Sequence, residues 1–160
     1  MKKILTTTLL LALCLSFVSC VPFASKNDIN YGEKYVYKDK SENYDTNAEL
    51  IFNKDGTGTY NYFYKYDSSN DNSDYTTSGT VSFVWEKTSD NAIHLFETEV
   101  KYNDDHTENY KIKLITEPLY FSENMIYYSY LSNSLSSTHA ATKKFLLEGS
   151  DLYNEVYNKD

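Results

Sequence analysis

Along this chain, apolar and polar residues alternate at a spacing of two in one short segment after another. Polar turns separate the segments, and no helical period of useful length intervenes, which is the pattern of antiparallel strands. The clearest case is Leu50 to Tyr66, LIFNKDGTGTYNYFYKY, which reads as two strands around Lys54-Asp55-Gly56. Asp-Gly between alternating apolar residues is a strong hairpin signal. Tyr60, Tyr62, Tyr64 and Tyr66 then share one face of the second strand.

Two registers compete. A two-residue Asp55-Gly56 turn puts Ile51 opposite Tyr60 and Glu49 opposite Tyr62. A three-residue loop with Gly56 left-handed puts Phe52 opposite Gly58, Leu50 opposite Tyr60 and Ala48 opposite Tyr62. Only the second collects Ala48, Leu50 and Phe52 on the tyrosine face and leaves Glu49, Asn53, Asn61 and Lys65 on the other. A slip of one residue flips a whole face, so the consistent register is expected.

The same reading gives a short strand at 33–38, with Tyr35 and Tyr37 on one face, and a long one at 75–86 carrying Val81, Phe83 and Trp85 together. Gly79 inside that strand predicts a bend or bulge. Residues 92–102 change phase between Ile93/Leu95 and Val100/Tyr102, which a bulge near Phe96–Glu99 reconciles. Asn109–Ile115 alternates cleanly, with Tyr110, Ile112 and Leu114 inward, and predicts a further strand. Leu119–Phe121 and Met125–Leu131 predict a hairpin, and 132–142 reads as a Ser/Thr-rich loop. Residues 143–157 have two readings: a hairpin around Gly149-Ser150, which is favoured, or a helix capped by Thr138 and ending at Gly149. Eight to ten such strands make an all-β, antiparallel up-and-down meander, and closing it into a barrel removes the exposed edges.

Composition narrows the function. The 160 residues carry a formal charge of −8 and contain 17 Tyr, 8 Phe and one Trp. Arginine is absent, and an acidic chain without it is a poor match for nucleic acid or an anionic lipid surface. The only cysteines, Cys14 and Cys20, lie near the N-terminus, so the barrel holds no disulfide. His94, His106 and His139 show no metal-ligand spacing, and no nucleophile elbow, phosphate loop or dinucleotide fingerprint occurs. Asp67–Asp74 starts like a calcium loop, but Asn72 and Ser78 stand where glycine and glutamate are needed, so it reads as solvated. No cofactor, metal or enzymatic activity is expected.

Lys2 and Lys3, the mostly apolar run Ile4–Val18 and small Ser19 have the three parts of a secretory signal. Phe17-Val18-Ser19-Cys20 resembles the lipobox of bacterial lipoproteins. That resemblance implies a diacylglyceryl group on the Cys20 thiol and cleavage before Cys20. Val21, where an inner-membrane retention signal has Asp, implies the outer membrane. The other reading is an ordinary signal cut near Ser19 or Ala24. The expected organisation is a signal peptide at 1–19, a lipidated tether at 20–32 and the barrel at 33–160.

The pattern Phe-x-x-Asp-Gly-Thr-Gly at 52–58, followed by Ser78-Gly79-Thr80 and Phe83-Val84-Trp85, looks like the lipocalin-like domains of small bacterial lipoproteins. The resemblance covers 33–131, and the Gly-x-Trp start of true lipocalins is missing. It implies a barrel with an interior ligand site. Tyr60, Tyr62, Tyr64, Phe83 and Trp85 are the candidate lining residues for a small apolar or amphipathic ligand. The alternative is a solid-core surface or periplasmic lipoprotein that recognises a protein partner through exposed tyrosines and acidic loops. A cavity of a few hundred Å³ separates the two.

Overall fold

The structure, a computed structural model, describes residues 29–68, 73–88, 92–134 and 137–159. The signal segment, Cys20 and tether residues 20–28 lie outside the described residues, as do parts of three loops, at 69–72, 89–91 and 135–136. Eight strands follow one another: β1 (Lys34–Lys40), β2 (Tyr44–Phe52), β3 (Thr57–Tyr66), β4 (Tyr75–Lys87), β5 (Ala92–Tyr102), β6 (Leu119–Ser122), β7 (Met125–Ser134) and β8 (Ser137–Leu147). They close in sequence order into an antiparallel barrel. A short helix, α1 (Asp151–Tyr157), follows.

The β2–β3 hairpin takes the three-residue loop. Phe52 faces Gly58, Leu50 faces Tyr60 and Ala48 faces Tyr62. Asn53 N–H donates to the Thr57 carbonyl at 2.8 Å, and Gly56 has φ 85°, a left-handed conformation in which glycine carries no Cβ penalty. The phase change in β5 is a bulge as expected: Ser82 pairs with Glu99 and Phe83 with Glu97, leaving Thr98 without an opposite residue.

Registers through β2, β3 and β4 stack the inward residues into rungs, and the rungs explain the interior. Phe52, Gly58 and Phe83 form the first; Leu50, Tyr60 and Val81 the second. Ala48, Tyr62 and Gly79 form the third; Thr46, Tyr64 and Thr77 the fourth. At the first rung a Cβ on Gly58 would lie 2.3 Å from the Phe83 ring, so glycine there makes room for the two phenylalanines. At Gly79 a Cβ would lie 2.2 Å from the Lys101 carbonyl oxygen, so this glycine allows β5 to approach β4 closely. Beyond the first two rungs, β2 and β4 contribute only small side chains, Ala48, Gly79, Thr46 and Thr77, while β3 contributes tyrosines.

The first-rung end is closed. Phe52, Phe83, Ile93, Leu119 and Ile126 are buried there or just above. Burying each such side chain contributes about 1.5–3 kcal/mol relative to exposure. Ile29 joins this cluster. Asn30 N–H donates to the Tyr35 hydroxyl at 2.9 Å, and Gly32 N–H to the Phe52 carbonyl at 2.9 Å. The last residues of the segment read as tether thus pack on the barrel.

Two expectations are corrected. Asn109–Ile115 is not a strand. Tyr110 stacks on Tyr75 with centroids 3.8 Å apart, and the buried residues are Ile112 and Ile115, three apart instead of two. The segment is drawn over the barrel interior by these contacts, and β5 keeps only Ala92 and Ile93 paired to β6. The second correction is the C-terminus. Residues 132–134 and 137–142, read as loop, are strand, β8 runs on to Leu147, and 151–157 are helix, neither the second strand of the favoured hairpin nor a helix ending at Gly149. β8 already has β7 on one side and β1 on the other, so no edge remained for another strand. The Ser150 hydroxyl caps the helix by accepting from Tyr153 N–H at 3.1 Å. α1 covers the seam where β1 meets β8 only at Tyr35–Leu147 and Val36–Leu146. There Lys38 N–H donates to the Tyr157 hydroxyl at 3.0 Å, and Val36, Leu146 and Tyr153 pack together outside the barrel.

Candidate functional site

At the end opposite the closed one, the barrel interior is not filled. Tyrosines on β3 face Ala48, Thr46, Gly79 and Thr77, and nothing large enough meets them from β2 or β4. A cavity of about 530 Å³ results. The segment after β5 supplies one part of its wall, including Leu114 and Ile115, and the β7–β8 hairpin another.

Three of the five residues expected at a ligand site are here. Tyr60, Tyr62 and Tyr64 line the cavity in a row, with the rings of Tyr60 and Tyr62 centred 5.7 Å apart. Phe83 and Trp85 are not at the cavity. Phe83 is 1% exposed and packs against Phe52 at the closed end. Trp85 lies there too: its indole N–H donates to the Thr57 carbonyl at 3.0 Å, and its ring meets Phe52 edge-on and Tyr31 face-on. Alternation put all five on the inner face correctly, but it does not say how far along the barrel axis each one lies.

The cavity also contains residues that were not singled out from the sequence: Tyr75, Tyr110, Tyr128, Tyr130 and Lys143. Tyr128 and Tyr130 were legible as alternate positions of MIYYSYL. Lys143 was not, because it stands where the loop read over 132–142 gives way to a segment with two readings, hairpin or helix. On β8 it takes an inward position, opposite Tyr128 and two residues from buried Phe145.

The electrostatics follow from burial. Desolvation raises the Tyr60 phenol well above its ordinary value, and it raises Tyr62 and Tyr128 too. The Tyr37 phenol beside them is raised by burial first and by the Asp39 carboxylate second. These groups stay neutral hydrogen-bonding phenols at physiological pH. Tyr60, Tyr62 and Tyr128 line the cavity, which puts their phenols within reach of a ligand or solvent. The wall is therefore apolar in area and polar at chosen points, which is the usual character of a small-molecule site. Burial lowers the Lys143 ammonium, and the field of Asp39 partly offsets it.

The histidines do not converge. His106 accepts from Ser78 N–H at 3.2 Å and stacks on Tyr102 at 4.0 Å, holding the chain after β5 against β4. His94 is half-buried on β5, and His139 is exposed on β8. Comparison with protein-family models, with curated proteins and with solved structures returns no match.

Proposed function

We propose that this protein is a lipid-anchored, non-enzymatic component of a bacterial cell envelope that holds a small amphipathic ligand in the tyrosine-walled mouth of its barrel. The observation that carries the reading is the cavity of about 530 Å³ lined by Tyr60, Tyr62 and Tyr64. Its size lies in the range of small-molecule pockets, about 300–1,000 Å³. A barrel filled along its whole length would have favoured the solid-core, protein-binding alternative. The anchor is the diacylglyceryl group on Cys20, with the outer membrane as its site, and this part rests on the N-terminal sequence.

The ligand reading is tested with an environment-sensitive naphthylamine dye, whose emission rises on leaving water. Saturable binding to the wild type that is lost in Tyr62→Ala/Tyr64→Ala is expected; unsaturable or unchanged binding refutes it. Trp85 is a poor reporter, because it sits at the closed end. The anchor is tested separately: Cys20→Ala should leave the membrane fraction, and a variant that fractionates as wild type removes the lipobox reading.

A further inference from the structure

We infer that the ligand of this cavity is an organic anion, an apolar or aromatic body bearing one acidic group, and that Lys143 receives the acid. This rests on the ligand-binding reading above and specifies its chemistry. The chain as a whole is acidic, with a formal charge of −8. The cavity reverses that sign. Lys111, Lys113 and Lys143 line it, against a single carboxylate, Glu117.

Lys143 stands apart from the other two because it is half-buried and projects from the strand wall, whereas Lys111 and Lys113 are exposed. Its Nζ lies 5.0 Å from the Tyr37 ring centroid and 5.8 Å from that of Tyr130. Ring faces stabilise a cation without neutralising it. Among the described residues no carboxylate comes within ion-pair distance of it. The acid whose field reaches it is Asp39, whose Oδ2 already accepts from the hydroxyls of Tyr37, at 3.1 Å, and Tyr44, at 3.2 Å. A partly desolvated ammonium without an acid partner is costly to keep, and an incoming carboxylate or sulfonate would relieve that cost. The tyrosine rings beside it supply the surface for the ligand's body, and Lys111 and Lys113 add favourable field at the rim.

The test compares two dyes of one skeleton, anilinonaphthalene sulfonate and the uncharged N-phenylnaphthylamine, on the folded barrel. In Lys143→Met the sulfonate should bind about ten-fold or more weakly, the scale of one charge-assisted hydrogen bond. The neutral dye should change by less than about two-fold, since its contacts are ring surface. Lys143→Arg should restore the sulfonate, and the exposed neighbour variant Lys144→Met should leave both dyes alone. Added salt should weaken the sulfonate in wild type more than in Lys143→Met. If Lys143→Met weakens both dyes equally, or neither, the anion inference is wrong while the ligand site stands. If wild type binds neither dye, the ligand reading itself fails and takes this inference with it.

Discussion

The two ends of this barrel are built by the same alternation on the same strands, yet one is a core and the other a cavity. At the closed end, β3 contributes Gly58 and its neighbours contribute Phe52 and Phe83, so large rings interlock across a missing side chain. Toward the open end the sizes invert: β3 contributes Tyr62 and Tyr64, and the neighbours contribute Ala48, Gly79, Thr46 and Thr77. The tyrosine row alone does not make the pocket. The small side chains of β2 and β4 on either side of it do.

The sharpest way to break this comparison is to truncate one aromatic at each end. Phe83→Ala should cost about 3–5 kcal/mol in urea unfolding, because the vacated volume is enclosed. Tyr64→Ala, in a wall that already faces space, should cost about 1 kcal/mol or less. Equal losses would mean that the open end is packed in solution. Next in size is Gly58→Ala, whose methyl group would collide with the Phe83 ring and with the Ile51 carbonyl oxygen, 2.5 Å from the new Cβ. Overpacking of this kind costs about 1–3 kcal/mol. The double variant Gly58→Ala/Phe83→Leu should recover part of it, and no recovery would place the strain elsewhere.

Alkaline titration sharpens the contrast without mutation. Burial raises the phenols of Tyr35, Tyr60, Tyr62 and Tyr128 above the free value of 10.0. Above pH 10 the unfolded chain releases these protons before the folded one does. The folded state then binds more protons, so stability is intact below pH 10 and falls as pH rises beyond it. Tyrosinate absorbance should show an early class from exposed rings and a late class appearing together with unfolding. A single smooth titration would contradict the buried row. The smallest effect on stability is expected from filling the cavity. Thr77→Leu should change unfolding by no more than about 1 kcal/mol while removing dye binding. If dye binding survives, the site lies outside the mouth.

Much of this was legible in the sequence where the information is local. The β2–β3 register followed from requiring one apolar face, and the β5 bulge followed from a change of phase. Position along the axis was not legible from the face pattern. Phe83 and Trp85 share a face with residues near the tyrosines in projection, but the β3–β4 register puts Phe83 beside Gly58, two rungs from Tyr62. The segment 109–115 failed for a different reason. Its alternation is that of a strand, but the contact that places it is the stack of Tyr110 on Tyr75, far away in sequence. At the C-terminus the missed signal was present: Leu152/Val156 and Tyr153/Tyr157 are spaced four apart after a serine, a helical pattern only two turns long. Lys143 was lost at the boundary between the loop read over 132–142 and the two readings of 143–157.

The four residues Ile29 to Gly32 have one more consequence. They run over the closed end, with Tyr31 against Trp85 and the Asn30 amide donating to the Glu123 carbonyl at 3.5 Å. The polypeptide therefore leaves the barrel by its floor. Nine peptide steps separate Cys20 from Ile29, about 30 Å of chain at full stretch. If Cys20 bears the proposed lipid, the chain joins the barrel at its closed end, and the tyrosine-walled opening lies at the end away from that junction.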